Sequence, residues 1–361
     1  MKGTFARFAR VEFAPPPYLS LPTAGVDIST SGIKVAFLKE HGHGLELASY
    51  DETPLALGAI DGGEIADRAA VVEGLKVLAK KHNIRFANIA LPESRGYLFE
   101  GGVEGTTLND WRTSIEQRID EYVPLPPAEV VFDLVPINEK KEDKMQIAGI
   151  GYARRVVEES VSALEEAGIT VRAVESENFA LPRALLPHGD TETVLVIDLG
   201  KTTTKLLVVT ERVPRLATTL DVGGHALTLA VVKHFGVSEE EARRIKAEKG
   251  IVSGTENDEY IAAMLSTVSV IREEIARRLE YWQTHAAEDG HQPVTRAVLV
   301  GGNATVRGLS EYLESGLKIP VALGDVFVNL ASRDDWLPPV DYMQSLAYGT
   351  AIGLALREYV P

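Results

Sequence analysis

The sequence predicts an α/β protein of two lobes, with a small α+β unit inserted in the first lobe. The chain has 361 residues, which exceeds an ordinary single core and suits two lobes of roughly 150 to 200 residues. One pattern of strand, turn and strand occurs twice, separated by the length of a domain. A segment of mixed helix and strand character, residues 86–168, interrupts the first of these lobes.

Composition narrows the class of protein. Hydrophobic residues at 45% and charged residues at 25% are usual for a globular chain. The net charge of −15 leaves no basic stripe, so nucleic acid is excluded as a main partner. The chain has no cysteine, which excludes disulfides and thiolate metal sites. Since no run of ~18 apolar residues occurs, we expect a cytoplasmic protein that reaches a membrane only indirectly.

The first 22 residues are predicted to form a flexible tail that contains a run of three prolines at 15–17. This tail has no apolar core of the kind that a secretory signal requires. Its basic residues alternate with aromatic residues such as Phe5 and Phe8, a pattern that could touch an anionic membrane surface. The alternative is a frayed tail, because so few aromatic side chains bury little apolar area.

Apolar periodicity predicts the elements along the chain. In the first lobe it predicts strands at residues 24–29, 33–40, 45–54 and 86–91, with a helix at 65–82. In the inserted segment it predicts strands at 96–103, 130–137 and 145–152, with helices at 107–122 and 156–167. In the second lobe it predicts strands at 193–198, 205–211 and 296–300, with helices at 238–249 and 260–285. Ser238 and Glu241 form a capping box for the first of these helices, and Gly250 follows its end.

These elements divide the chain into successive segments. The predicted segments are a tail (1–22), lobe I (23–85), the insert (86–168), the rest of lobe I (169–190), lobe II (191–235, 236–295 and 296–345) and a C-terminal helix (346–361). The small residues of SLAYGTAIGLAL suit a final helix that packs tightly on its neighbours.

The repeated pattern carries the functional interpretation. GVDISTSGIKVAFL (25–38) and VIDLGKTTTKLLVV (196–209) both contain an apolar strand that ends in Asp, a Ser/Thr/Gly turn, and Lys seven residues after the Asp. Asp27 thus corresponds to Asp198, 171 residues later (198 − 27). Such turns present N–H and hydroxyl donors to phosphate oxygens, and paired aspartates suit hydrated Mg²⁺. A single copy can be a plain turn, but two copies predict a phosphate site between the lobes.

A third motif, AVLVGGNATVRGLSEYLE (297–314), combines an apolar strand, a glycine pair and a helix start. The glycine pair leaves a surface that a flat adenosine ring can approach closely. Alone, the motif is more typical of an ordinary turn between strand and helix.

Together the three motifs resemble the phosphate-1, phosphate-2 and adenosine motifs of the actin/Hsp70/sugar-kinase ATPase superfamily. VESENFALPRAL (174–185) and LAYGTAIGLAL (346–356) resemble its two connecting helices. The resemblance extends from Gly25 to the end of the chain. It implies a two-lobed actin-like ATPase (ribonuclease H-like) fold that binds ATP and Mg²⁺ between its lobes.

Within this superfamily the chain resembles the PilM family of type IV pilus assembly. The resemblance depends on NIALPES (88–94), RTSIEQRIDEYVPLPPAEVVFDLVPI (112–137) and FGVSEEEARRIKAEKG (235–250). It implies that the insert is subdomain 1C, which docks the N-terminal peptide of a PilN-like inner-membrane protein in a groove beside subdomain 1A. Residues 357–361 do not form the amphipathic membrane helix of FtsA, which favours PilM. The protein would then be a cytoplasmic adaptor, peripheral at the inner membrane through its partner, with self-association left open.

Carried onto this sequence, the resemblance implies three groups of nucleotide ligands. They are loop one (Asp27, Ser29, Thr30, Ser31), loop two (Asp198, Gly200, Lys201, Thr202, Thr203) and the nucleoside contacts (Lys246, Gly301, Gly302, Asn303). Asp27 and Asp198 would also hold the magnesium ion. Glu175 falls where Hsp70-like ATPases place the acid that positions the attacking water, which predicts a catalytic role for it.

Three positions depart from the superfamily pattern. Ser29 and Asn303 replace glycines, and Arg243 replaces a glutamate. These departures predict nucleotide binding with slow hydrolysis, because transition-state positioning tolerates little misplacement. The alternatives are an FtsA-like division protein, a scaffold that binds no nucleotide, and a small-molecule kinase. A kinase would need a base for the accepting hydroxyl, and no dedicated Asp is evident.

Overall fold

The computed structural model describes residues 22–359, except residues 43, 142–143 and 253–257. The predicted tail therefore lies outside the described residues, apart from Pro22. Among the residues described, no helix has the length and apolar character needed to cross a membrane.

The first lobe begins with a strand meander. In chain order its first elements are β1 (Thr23–Ser29), β2 (Gly32–His41), β3 (Gly44–Pro54), the short pair β4 (Ile60–Asp61) and β5 (Glu64–Ile65), α1 (Arg68–His82) and β6 (Phe86–Leu91). Helix α1 begins at Asp67, whose carboxylate accepts a hydrogen bond from the Ala70 N–H at 3.0 Å. It ends at Asn83, which adopts the left-handed conformation with φ 52°.

The insert is a three-stranded sheet with two short helices. It consists of β7 (Gly96–Val103), α2 (Leu108–Glu116), α3 (Ile119–Tyr122), β8 (Val130–Lys141) and β9 (Lys144–Ala153), with sheet order β7-β9-β8. The single helix predicted over residues 107–122 is interrupted at Arg118, where φ is −134°. This bend buries both Ile115 and Ile119 in the insert's own apolar core.

The insert is narrower than the predicted 86–168. Strand β6 pairs in parallel with β1 and belongs to the sheet of the first lobe. The helix that follows the insert, α4 (Arg154–Glu166), buries Ala163 and Leu164 in the core of that lobe. Both elements therefore bury their apolar residues against lobe I, and the insert itself spans residues 96–153.

The chain then completes lobe I and builds lobe II. The remaining elements are β10 (Thr170–Ser176), α5 (Glu177–Leu185), β11 (Thr193–Leu199), β12 (Thr204–Thr210), β13 (Val213–Leu220), α6 (Gly224–Phe235), α7 (Glu239–Lys249), α8 (Asp258–Asp289), β14 (Arg296–Val300), α9 (Leu309–Leu317), β15 (Val321–Leu323), α10 (Tyr342–Ser345) and α11 (Gly349–Leu356). At α7, the Ser238 hydroxyl accepts from the Glu241 N–H at 3.2 Å, as the predicted cap requires.

The two lobes have the same sheet topology, which confirms the duplication. The order in lobe I is β10-β6-β1-β2-β3, and in lobe II it is β15-β14-β11-β12-β13. The hairpins also share one register, since Asp27 lies opposite Lys34 in β1–β2 and Asp198 lies opposite Lys205 in β11–β12. The repeated letters therefore encode two copies of one α/β unit.

Helices α5 and α11 connect the lobes and pack on each other through small residues. A Cβ at Gly353 would fall 1.8 Å from the Ala180 carbonyl oxygen of α5. A Cβ at Gly25 of β1 would fall 1.9 Å from the Ala351 carbonyl oxygen of α11. Only glycine permits these approaches, so α11 is the tightly packed final helix that the sequence predicts.

Candidate functional site: the interlobe cleft

A cleft of about 890 Å³ lies between the two lobes. This volume is within the range of small-molecule sites. Twelve of the predicted nucleotide ligands line it: Asp27, Ser29, Thr30, Ser31, Asp198, Gly200, Lys201, Thr202, Thr203, Gly301, Gly302 and Asn303. The structure therefore brings both hairpin turns and the glycine pair to one cavity.

The two hairpin turns meet across the cleft. The Thr202 hydroxyl donates to the Thr30 hydroxyl at 3.0 Å, a contact between lobe II and lobe I. In loop one, the Ser29 hydroxyl lies 3.2 Å from the Gly32 carbonyl and is engaged within its own turn. In loop two, the Gly200 N–H donates to the Thr203 carbonyl at 3.0 Å and closes the turn. The hydroxyls of both loops thus converge on the same space.

The amino end of α6 braces loop two. The Gly224 N–H donates to the Gly200 carbonyl at 3.0 Å, and the His225 N–H donates to the Lys201 carbonyl at 2.7 Å. Gly223 precedes them, and a Cβ there would lie 2.7 Å from the Thr203 nitrogen. These N–H groups of the first helical turn are therefore used to hold the loop.

A buried cluster of carboxylates and lysines forms the floor of the cleft. Burial raises the pKa of Asp27 to about 6, although Lys34 and Lys205 oppose the shift. Burial also raises the pKa of Asp198. The pKa of Lys205 is raised despite its burial, because Glu177, Asp198 and Asp27 surround it. The cluster is thus a set of mutually balancing charges held away from bulk water.

Asp27 and Asp198 fit the magnesium ion that the fold family implies. Both carboxylates line the cleft, and both carry a raised pKa that a nearby cation would relieve. No group of three or more acidic, histidine or cysteine residues suited to a metal occurs in the part of the chain that the structure describes. Two carboxylates are nevertheless enough for Mg²⁺, which keeps several of its waters and takes oxygens from substrate phosphates.

Glu175, the predicted catalytic acid, lies away from the described lining of the cleft. Its carboxylate lies 2.5 Å from the Arg183 guanidinium and 2.7 Å from that of Arg357. Arg183 also donates to the Gly353 carbonyl at 3.0 Å. Glu175 therefore fixes the connecting helices, and both of its oxygens are occupied.

Glu177 is the acid that reaches the cleft, and sequence reasoning missed it. Its Oε2 accepts a hydrogen bond from Lys205 Nζ at 2.5 Å, and its Oε1 accepts from the Glu93 N–H at 2.5 Å. Ser176 caps α5, so Glu177 is the first residue of that helix. The segment VESEN contains both Glu175 and Glu177 as possible cleft residues. Only the position at which β10 ends determines which of the two side chains reaches the cleft.

Lys246, predicted to contact the nucleoside, is likewise not among the described residues that line the cleft. It is buried behind Asn303, and its Nζ donates to Asn303 Oδ1 at 2.8 Å, to Gly224 O at 3.0 Å and to Thr228 Oγ1 at 3.1 Å. Arg243, the other departure on α7, pairs with Glu239 on the exposed surface of that helix.

The glycine pair Gly301 and Gly302 lines the cleft. Gly301 has φ 96°, and a Cβ there would lie 2.3 Å from the Asp198 carboxylate. A Cβ at Gly302 would have no atom closer than Ala347 at 3.8 Å, so the space above it is open to a ligand. Glycine is required at 301 by its conformation, and at 302 it leaves a bare backbone surface.

Residues 25–359 match the family described as type IV pilus assembly protein PilM. The chain is similar to the PilM–PilN type IV pilus biogenesis complex, at 22% identity and TM-score 0.77 over 94% of this chain and 99% of that chain.

More distant similarity extends to two further solved structures. The ethanolamine utilization protein EutJ of Carboxydothermus hydrogenoformans has 17% identity and TM-score 0.54, over 95% of this chain and 90% of that chain. MreB5 of Spiroplasma citri bound to ADP has 14% identity and TM-score 0.53, over 86% and 94%. These similarities show the actin-like fold. Because the family match covers nearly the whole sequence, the chain belongs to the PilM family of type IV pilus assembly proteins.

Proposed function

We propose that this chain binds Mg·ATP between its lobes and serves type IV pilus assembly as a cytoplasmic adaptor. The main support is the convergence of two hairpins of identical register on one cleft, where Thr30 and Thr202 touch. Hydroxyls and backbone N–H groups of the two turns would bind the phosphates. When bound, the magnesium ion supplies positive charge to the phosphates, and Asp27 and Asp198 would hold its waters.

A calorimetric titration with Mg·ATP tests the nucleotide site. We expect one site in the wild-type chain and a large loss of affinity in Asp198→Asn, which keeps the shape of the side chain but removes its charge. Asp120→Asn, at an exposed position of the insert, is the matched control and should bind normally. The absence of binding to the wild-type chain at millimolar nucleotide would refute the proposal.

The second part of the proposal concerns the partner. The similarity to a PilM–PilN complex supports a PilN-like partner. We propose that this inner-membrane protein docks through its N-terminal peptide between lobe I and the insert. At this junction Leu91, Ile150, Tyr152 and Val156 form a small apolar cluster. Leu98, Val157 and Phe179 pack on it while remaining partly exposed. Partly exposed apolar side chains beside strands suit the pockets of extended-peptide recognition.

A fluorescence titration with the first ~15 residues of the cognate membrane protein, a length that fits extended-peptide docking, tests the groove. Val157→Asp should weaken peptide binding at least tenfold, because it places a charge in the apolar junction. Val270→Asp is the matched control, since Val270 is exposed on α8 in the other lobe. Equal binding by the two variants would place the peptide elsewhere. Unaided membrane binding by the full chain through Phe5 and Phe8 would contradict the adaptor role.

A further inference from the structure

Asn303 separates a buried ammonium group from the nucleotide cleft. Asn303 lines the cleft, whereas Lys246 lies directly behind it with a relative exposure of 8%. The three hydrogen bonds of Lys246 Nζ end on Asn303, Thr228 and Gly224. An ammonium has three N–H donors, so no donor of Lys246 remains for a ligand in this arrangement.

The amide of Asn303 is itself held in place. Its Nδ2 donates to the Gly200 carbonyl at 2.9 Å, and its backbone N–H donates to the Leu199 carbonyl at 3.2 Å. The amide also fills the space above Gly224, where a Cβ would fall 1.9 Å from Asn303 Cγ. Gly224 therefore leaves room for a side chain at 303, and loop two gives that side chain a fixed orientation.

From this geometry we propose that Asn303 determines nucleotide specificity by keeping the Lys246 ammonium away from the nucleoside. The chain then recognises a magnesium nucleotide mainly through its phosphates and discriminates weakly between bases. This inference rests on the nucleotide site proposed above and adds its ligand class, nucleoside polyphosphates of either purine base.

The charge of Lys246 agrees with this arrangement. Burial, assisted by Arg243, lowers the pKa of Lys246 to about 8. Burial thus disfavours the charged form of Lys246, and the hydrogen bonds to its three acceptors compensate for this cost. If the Asn303 acceptor is removed, we expect the ammonium to move toward the cleft, because water there solvates its charge. Asn303→Gly should therefore release Lys246, whereas Asn303→Asp retains an acceptor and should hold it.

Amine acylation tests the release of Lys246 without any nucleotide. The full-length chain is treated with an amine-reactive ester, and modification at Lys246 is followed by peptide mass spectrometry. Loss of a hydrogen bond to a charged group predicts labelling about tenfold faster in Asn303→Gly than in the wild type. Asn303→Asp should label as slowly as the wild type. Equal labelling of Lys246 in the wild type and Asn303→Gly would overturn the inference.

Nucleotide titrations then test specificity. The wild-type chain should bind Mg·ATP and Mg·GTP with dissociation constants within about threefold of each other. This difference is smaller than the contribution of one good hydrogen bond to affinity. Asn303→Gly should tighten Mg·ATP about tenfold and leave magnesium tripolyphosphate unchanged, because only the nucleoside gains a contact. The added substitution Lys246→Met should cancel that gain. Wild-type discrimination above tenfold, or an equal gain for tripolyphosphate, would overturn the inference.

The outcomes separate this inference from the proposed function. If neither nucleotide nor tripolyphosphate binds the wild-type chain, the nucleotide site and the inference both fall. If Mg·ATP binds but Lys246 labels freely in the wild type, only the inference falls. The comparison of ATP with GTP uses the wild-type chain alone and holds even if Asn303→Gly does not fold.

Discussion

Asp27 and Asp198 lie near the end of the first strand of each lobe, where Asp27 is buried and Asp198 is partly buried beside lysines. This placement costs free energy in the unliganded protein, because water no longer solvates the charges. A magnesium nucleotide would supply the missing counter-charge. Residues that bind ligands often destabilise the unliganded protein. Removing one of these charges should therefore raise the stability of the unliganded chain and lower its affinity for the nucleotide.

Asp27→Asn should raise the stability of the unliganded chain near pH 7. The pKa of Asp27 is about 6 in the native state and near 3.9 when unfolded, so the native state holds its proton more tightly. The free energy of unfolding of the wild type should therefore fall as pH rises from about 4 to about 6. The substitution should remove that part of the slope and add about 1–3 kcal/mol at pH 7.

Urea unfolding at pH 4, 5, 6 and 7 measures this slope for wild type, Asp27→Asn and the exposed control Asp120→Asn. The prediction fails if the wild type and Asp27→Asn have parallel pH profiles.

Substitutions at Glu177 and Glu175 should affect different properties, ATP hydrolysis at Glu177 and folding stability at Glu175. Glu177 faces the cleft with both oxygens engaged, which agrees with the predicted slow turnover, below ~1 per second. Glu177→Gln should lower phosphate release about a hundredfold or to background. Glu175→Gln should keep that rate but cost about 2–4 kcal/mol of stability, because Arg183 and Arg357 lose a buried partner.

Steady-state phosphate release and urea melts of the two variants decide between the acids. Loss of turnover in Glu175→Gln with normal turnover in Glu177→Gln would restore the sequence-based assignment.

Residue types and spacing predicted the members of both phosphate loops but not all the roles. Sequence could not distinguish Glu175 from Glu177, because one residue at the end of β10 decides which acid reaches the cleft. Nor could it place Lys246, whose position depends on the side chain at 303, 57 residues further along the chain (303 − 246). These are contacts between elements, and periodicity within one element does not record them.

At the scale of elements, strong apolar patterns and helix caps predicted most strands and helices. Strands β10 and β13, helix α6 and the short elements β4, β5, β15 and α10 escaped prediction. In β13 only Pro214, Arg215 and Leu220 are buried, so its apolar alternation is weak. The predicted insert included β6 and α4, because their apolar residues do not indicate which core they pack against. The pairing of β6 with β1 shows that β6 belongs to the sheet of lobe I.

The close packing of the connecting helices gives a prediction at this scale. Gly353→Ala should destabilise the chain by about 1–3 kcal/mol or more, because the new Cβ would meet the Ala180 carbonyl oxygen. Gly42→Ala is the matched control, since a Cβ there has no atom within 4 Å. Urea unfolding measures both variants, and equal midpoints would show that α5 and α11 pack less closely than the structure indicates.

At the scale of the whole molecule, the insert contacts both lobes. It grows from lobe I, yet Glu100 of β7 pairs with the buried Arg215 of β13 in lobe II. His291, which follows α8, lies 3.0 Å from the same guanidinium. Nearby, the Thr219 hydroxyl donates to Glu93, whose N–H is bound by Glu177 in the cleft. A change in the angle between the lobes would therefore reach the insert.

This arrangement predicts reciprocal coupling between nucleotide and partner peptide. Mg·ATP should change peptide affinity about fivefold or more, and the peptide should change Mg·ATP affinity by the same factor. Arg215→Met should bring that factor close to one, because it removes the link between β13 and β7. Arg277→Met, on the exposed surface of α8, should leave it unchanged. Titrations of each ligand in the presence of the other measure the factor, and undiminished coupling in Arg215→Met would exclude this route.

The repetition of one α/β unit is the part of the architecture that sequence predicted best. The sequence has the same Asp-to-Lys spacing in both hairpins, from Asp27 to Lys34 and from Asp198 to Lys205. In the structure the two hairpins share one register, and the two sheets share one strand order. Equal hairpins in two lobes can meet only across the cleft between them. We therefore expect both hairpins to bind the same nucleotide.

A crystal structure of the full chain with a magnesium complex of a non-hydrolysable ATP analogue tests that claim most directly. We predict phosphate density between the Thr30 and Thr202 turns, with the metal beside Asp27 and Asp198 and the nucleoside against Gly301 and Gly302. Density bound to one hairpin alone, or an analogue bound outside the cleft at saturating concentration, would contradict the account.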